Sequence, residues 1–284
     1  MFALVEIGIR MGLLDGLHKR RWRSRIERYP GIASDHAAGL QQALREAASG
    51  LLGRLPVPAR GRWFAGGYRL ADLLDCRDAL GDAKWYLSSP DESSVARGVA
   101  ALSEAVSLPG AFVEKLAGFP EQTFQGLLLL WPTTPPVRHI LRVASARVAP
   151  GGLLGAIVLR DGTPEPTSAV MRRAVKKATG APVKTRPLGN PDSPADIRAW
   201  LSEANCGDAL CWADGRNLVF PTGTEARLCL ESISGGAAFP EGLSGQELAN
   251  ARTAFDLCLE EECRAAGQVV LSYEFLGGIA VKAG

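Results

Sequence analysis

Phe124-Gln125-Gly126-Leu127-Leu128-Leu129-Leu130, followed a short way on by Arg147-Val148-Ala149-Pro150-Gly151-Gly152-Leu153-Leu154, decides the fold. Within and just beyond the first block, residues 126–131 make a continuous apolar run of strand length, as expected of a strand buried on both faces. The spacing of apolar residues over 137–148 predicts a helix. Pro150-Gly151-Gly152 then turns the chain into a second apolar strand over 153–160. Strand, helix and strand in this order predict a right-handed crossover between parallel strands.

The same alternation extends in both directions. Upstream, strands are expected over 62–65, 83–87 and 111–116. A helix running from Pro90-Asp91-Glu92 to about 106 starts with a proline and two acids, which suits the positive end of a helix. Downstream, helices are expected over 168–179, 194–203 and 245–266. A strand region with a turn at Asp214-Gly215 covers 209–220, and aromatic and β-branched residues make a closing strand of 268–281. The pattern predicts an α/β, mostly parallel, doubly wound sheet over residues 59–284. Residues 1–58 read as an N-terminal helical arm, with helices over 2–17 and 36–52 ended by Gly53 and Pro56.

Composition narrows the function classes. The 284 residues are 46% hydrophobic and carry a formal net charge of +2, so no bulk attraction to nucleic acid is built in. No apolar run reaches the roughly 18–20 residues that span a bilayer. The apolar segment 2–17 precedes the basic run 18–28, the reverse of a secretory signal, so secretion is not expected. The six cysteines lack Cys-x-x-Cys spacing and neighbouring histidines, which predicts reduced thiols and no metal site.

Taken together, these blocks resemble the class I S-adenosylmethionine-dependent methyltransferases, nearest the branch with the ubiquinone-biosynthesis and malonyl-carrier enzymes. Leu87-Ser88-Ser89-Pro90-Asp91-Glu92 resembles that family's strand-to-helix turn, normally Asp-x-Ser-Pro. Tyr273-Glu274-Phe275-Leu276-Gly277-Gly278-Ile279-Ala280 is similar to its last, antiparallel strand. The resemblance runs from about Arg60 to the C-terminus. It implies a Rossmann-like seven-stranded methyltransferase sheet, parallel but for one antiparallel edge strand.

The resemblance also implies where the cofactor would sit, and there the chain departs from the family. The glycine-rich turn after the first strand is reduced to Gly66-Gly67, followed by Tyr68 and Arg69. Leu87 stands where a carboxylate would take both ribose hydroxyls, and Gln125 replaces an aspartate. Unpaired hydroxyls in a buried site cost about 1–3 kcal/mol each. The expectation is therefore that Gly66, Gly67, Leu87 and Gln125 are vestigial positions, that no cofactor is bound and that no catalytic residue is present. On the alternative reading, an active methyltransferase acting on a small molecule or carrier-bound thioester, the same residues line the cofactor and residues 131–136 the substrate.

Other candidates are weaker. His139 is a conceivable general base, but no carboxylate stands at a telling spacing, and His18 and His36 lie outside the methyltransferase-like core. Arg172-Arg173 and Lys176-Lys177 read as a solvated helix face. The N-terminal arm is the candidate interface. Phe2, Val5, Ile9 and Leu13 form an apolar stripe at helical spacing, and Arg20, Arg21, Arg23 and Arg25 follow it. These features predict other protein subunits as partners, with possible contact to acidic lipid headgroups. The expected role is that of a catalytically inactive, structural subunit of a larger assembly. The resemblance and the Arg-rich start point to a mitochondrial energy-converting complex, with the cytoplasm as the alternative location.

Overall fold

The computed structural model describes residues 38–55, 60–67, 81–89, 92–110, 112–130, 136–182, 189–233, 239–240 and 242–284. The arm residues Phe2, Val5, Ile9, Leu13, Arg20, Arg21, Arg23 and Arg25 lie outside these, as do Tyr68, Arg69, Cys76 and residues 131–135. The described chain forms two compact units. One comprises Gln41–Pro164, Thr185–Arg216 and Ser272–Gly284, and the other is built from Glu165–Lys184 and Asn217–Leu271.

The first unit holds the sheet. Its strands are β1 (Arg62–Gly67), β2 (Lys84–Ser88), β3 (Ala105–Ser107), β4 (Phe124–Leu130), β5 (Val148–Leu159), β6 (Cys206–Phe220) and β8 (Gln268–Lys282). A two-residue strand, β7 (Arg264–Ala265), forms a hairpin with the start of β8 in the second unit. The order across the eight-stranded sheet is β3-β2-β1-β4-β5-β8-β6. β1 to β5 pair in parallel, whereas β8 runs antiparallel to β5, from Leu153 opposite Val281 to Leu159 opposite Phe275. The antiparallel strand is thus one in from the edge, which β6 occupies.

Helices cover both faces, as a sheet of buried apolar strands requires. On one face α3 (Phe112–Ala117), α4 (Val137–Arg147) and α6 (Pro194–Glu203) bury Leu116, Ile140, Leu141 and Leu201 against Phe64, Leu127, Leu129 and Leu276. Phe64, Tyr86, Phe119 and Phe124 form an aromatic cluster there, with Phe119 and Phe124 ring centres 5.0 Å apart. On the other face α1 (Ala38–Leu52) brings Leu51 against Gly155 and Leu128, and Trp63 lies over Gly126 beside Trp85. A side chain at Gly126 would meet the Trp63 ring at 2.4 Å, which explains a glycine inside a buried strand. Ala47, Ala48, Leu51 and Leu52 are all buried, and residues 41–52 of α1 fall within the sheet unit.

The second unit packs α5 (Thr167–Thr179) against α8 (Gly245–Glu262), with α7 (Gly223–Ile233) beside α8. Between α7 and α8, Arg227 pairs with Asp256 and Glu231, and Arg252 pairs with Glu231. Glu231 is almost fully buried, and both of its oxygens accept from Arg252, so its charge is matched where water cannot reach it.

Three differences from the sequence reading concern elements. Residues 112–117 are helical rather than a strand, and the third strand is the short β3 inside the segment read as the end of a helix. β6 is one fifteen-residue strand without a turn at Asp214-Gly215. The helix α7 was not expected at all.

Candidate functional site at the carboxyl ends of the strands

The parallel strands end together near Gly67, Ser88 and Leu130. In an open α/β sheet, ligands bind outside these carboxyl ends, where neighbouring crossovers part to opposite faces. Here that point lies between β1 and β4, since β1 has β2 on one side and β4 on the other.

Gly66 and Gly67 close β1. Gly67 pairs with Leu130, has φ of +143°, and a Cβ there would lie 1.7 Å from the Leu130 carbonyl oxygen. Only glycine fits. Gly66 pairs with Ser88 on one side and Leu129 on the other. Both glycines are buried, and the absence of a side chain at Gly67 lets the end of β1 close against the Leu130 main chain.

At the end of β2, Leu87 is 1% exposed, and its Cδ1 lies 2.6 Å from where a Cβ on Gly98 would stand. Gly98 belongs to α2 (Glu92–Ala101), so the leucine is spent on strand–helix packing. It offers no hydrogen-bonding atom to a ligand. The next residue differs. Ser88 is fully buried, and its Oγ has no hydrogen-bond partner. Neither the apolar patterning nor the family motif singled out Ser88. A serine where strand packing favours an apolar residue was the available signal.

Gln125 does not join this group. It is the second residue of β4, at the opposite end of the strand, and its Oε1 accepts a hydrogen bond of 2.8 Å from the Arg62 backbone N–H. Five residues separate it from Leu130, about 16 Å at 3.3 Å per residue. Its role is to tie the start of β4 to the start of β1. Of the four positions named from sequence, the structure brings together Gly66, Gly67 and Leu87, and adds Ser88.

The remaining candidates contribute no reactive constellation. His139 lies in the first turn of α4, donates its backbone N–H to Pro136 at 2.9 Å, and has a buried Nε2 without a partner. The neighbouring Arg138 makes a two-pronged ion pair with Glu203, with contacts of 2.6 and 2.8 Å, which fixes α4 to α6. Burial pushes the thiols of Cys206, Cys211 and Cys263 up, and that of Cys229 up to about 12, so they are neutral near pH 7 and poor nucleophiles. No group of side chains suited to a metal ion occurs among the described residues. On α5, Arg173 pairs with Glu262, while Arg172, Lys176 and Lys177 face solvent. No described helix is long and apolar enough to cross a membrane.

No family model matches the sequence, and comparison with curated proteins gives no match. Solved structures do match. The YcgJ protein from Bacillus subtilis is 11% identical with a TM-score of 0.51, over 84% of this chain and 99% of that one. A proposed methyltransferase from Bacillus halodurans C-125 is 9% identical with a TM-score of 0.50, over the same shares of the two chains. Geranyl diphosphate C-methyltransferase from Streptomyces coelicolor A3(2), solved with Mg2+, geranyl diphosphate and S-adenosyl-L-homocysteine, is 10% identical with a TM-score of 0.44, over 84% and 77%. The expectation that no cofactor is bound runs against these comparisons, since geranyl diphosphate methyltransferases among the matched structures are solved with S-adenosylmethionine and with S-adenosyl-L-homocysteine. The strand order, the antiparallel β8 and these neighbours together show that the chain has the fold of the class I S-adenosylmethionine-dependent methyltransferases.

Proposed function

We propose that this chain is a methyltransferase-fold protein with a remodelled, weakened S-adenosylmethionine cleft, and that it serves as an accessory subunit of a larger protein assembly rather than as a methyl-transfer catalyst. The observation that carries this reading is Leu87, packed against Gly98 where a carboxylate would be needed to hold the ribose. Two unpaired hydroxyls at about 1–3 kcal/mol each lower affinity by roughly tens to tens of thousands of fold. Residues 1–29, with the stripe of Phe2, Val5, Ile9 and Leu13 and the cations Arg20, Arg21, Arg23 and Arg25, supply the contact with partner subunits or acidic lipid headgroups. By analogy with methyltransferase-like accessory proteins, such an assembly would be a mitochondrial energy-converting complex.

The test is purification of the chain from its native source, followed by sizing and by a methyl-transfer assay with labelled S-adenosylmethionine. The expected result is elution within a large assembly and no transfer. A lone chain that transfers label to a small molecule or carrier-bound thioester would replace this reading with that of an active methyltransferase. That second reading is favoured by Ser88, a polar group retained in the cleft without a structural partner.

A further inference from the structure

The two edges of the sheet are built differently. β3, at one edge, is three residues long, and the Lys84–Glu104 ion pair lies beside it. A short edge strand and flanking charges keep an edge from pairing with another chain. β6, at the other edge, is fifteen residues long and contains no proline. Among the described residues no strand pairs with its outer side. Its outward N–H and C=O groups are therefore a template for a further strand.

The side chains of residues 206–216, the part of β6 in the sheet unit, restrict what can pair there. Leu210 is 53% exposed, and Ala213 and Gly215 are exposed beside it. Trp212 is half-buried, with the Arg54 guanidinium 4.5 Å from its ring centre. The charged residues are Asp208, Asp214 and Arg216. Asp208, at φ of +48°, marks the start of the straight part of the strand; it is exposed and makes no ion pair among the described residues. Arg216 pairs with Asp214 and Glu46 through Nη1 and Nε, which leaves Nη2 for another acceptor. In an isologous pairing, residue i of one copy meets residue j of the other and j meets i. Antiparallel strands keep matching faces only when the two-fold axis passes through a residue. An axis at Cys211 sets Asp208 against Asp214 of the second copy, and an axis at Asp214 sets that carboxylate against itself, both unfavourable. An axis at Ala213 pairs no opposite charges. An axis at Trp212 brings Asp208 of each copy to Arg216 of the other, sets the two tryptophans side by side and covers Leu210.

We infer that the chain forms a homodimer in which β6 of one copy pairs antiparallel with β6 of a second about an axis at Trp212. The pairing joins two eight-stranded sheets into one and buries both exposed edges. The backbone ladder supplies the attraction, and the Asp208–Arg216 pairs fix the register. The inference rests on neither reading of the cleft.

The test is sedimentation equilibrium of the purified full chain alone, with amide hydrogen exchange followed across a concentration series. The expected result is a reversible monomer–dimer equilibrium in which the amides of residues 208–216 exchange more slowly as the dimer fills. Asp208→Lys sets like charges together and is expected to weaken the dimer about tenfold at low salt, with a smaller effect in molar salt. Ser107→Lys, on the β3 edge, should leave the dimer intact. A chain that stays monomeric at millimolar concentration would overturn the inference and leave the edge to a different partner. A dimer without slower exchange in β6, or one that Ser107→Lys disrupts and Asp208→Lys does not, would also overturn it. If Asp208→Lys lowers the melting temperature of the monomer, the exchange pattern of the unaltered chain decides alone.

Discussion

Gly67 shows how strictly a single residue can be fixed by its neighbours. Its φ of +143° and the 1.7 Å approach to the Leu130 carbonyl leave no room for a methyl group against main chain that cannot swing aside. Gly67→Ala is expected to lower the unfolding free energy by about 3 kcal/mol, measured by urea denaturation. Gln125 makes the opposite case. Its side-chain bond to the Arg62 N–H is exposed and far from the strand ends, so Gln125→Ala should cost about 1 kcal/mol and leave S-adenosylhomocysteine binding unchanged. A loss of binding in that variant would return Gln125 to the cleft. The buried thiols carry a pH signature. Burial raises the Cys229 pKa from 9.0 to about 12, so the folded chain favours the neutral thiol. Its contribution to stability is complete below pH 9 and is lost as pH rises toward 12. Cys229→Ala should therefore flatten the fall in stability over that range, and an unchanged slope would contradict the assignment.

Elements were legible where length and periodicity agreed. The helix starting at Pro194 came out with its predicted bounds because Ser193 and Asp196 form a reciprocal cap around it, a signal carried by the residues themselves. The parallel strands β1, β2 and β4 were legible as apolar runs bounded by turns. Residues 112–117 were not, because Phe112, Val113 and Leu116 make an apolar run short enough for either state, and only packing against α4 selects the helix. At Asp214-Gly215 the local turn signal lost to pairing with β8, which carries β6 straight through. In the cleft, Gly66, Gly67 and Leu87 were legible through a motif, whereas Ser88 needed the structure, since an unbonded hydroxyl is visible only once its surroundings are known. The helix α1 supplies a prediction at this scale. Leu51 and Leu52 are each worth about 1.5–3 kcal/mol when buried, so removing residues 1–54 should unfold the sheet unit. Removing residues 1–29 should leave the melting temperature nearly unchanged while abolishing entry into the assembly. If both truncations melt alike, α1 is not the part of the core described above.

At the scale of the whole molecule, a sheet with the methyltransferase strand order ends, at β2, in a buried leucine packed against Gly98. Leu87 packs against Gly98 in the sheet unit, and the second unit carries its own helix pairs and ion pairs. Fold alone does not fix function, so the assembly role proposed above stands or falls with the binding measurement. On the proposed reading, loss of the ribose bonds at about 1–2 kcal/mol each would turn a micromolar site into one with a dissociation constant between roughly tens of micromolar and a millimolar. The most direct measurement is calorimetric titration of the purified full chain with S-adenosylhomocysteine. The account predicts saturable one-site binding within that range. Low-micromolar or tighter binding, or no saturable heat at several millimolar, would contradict it.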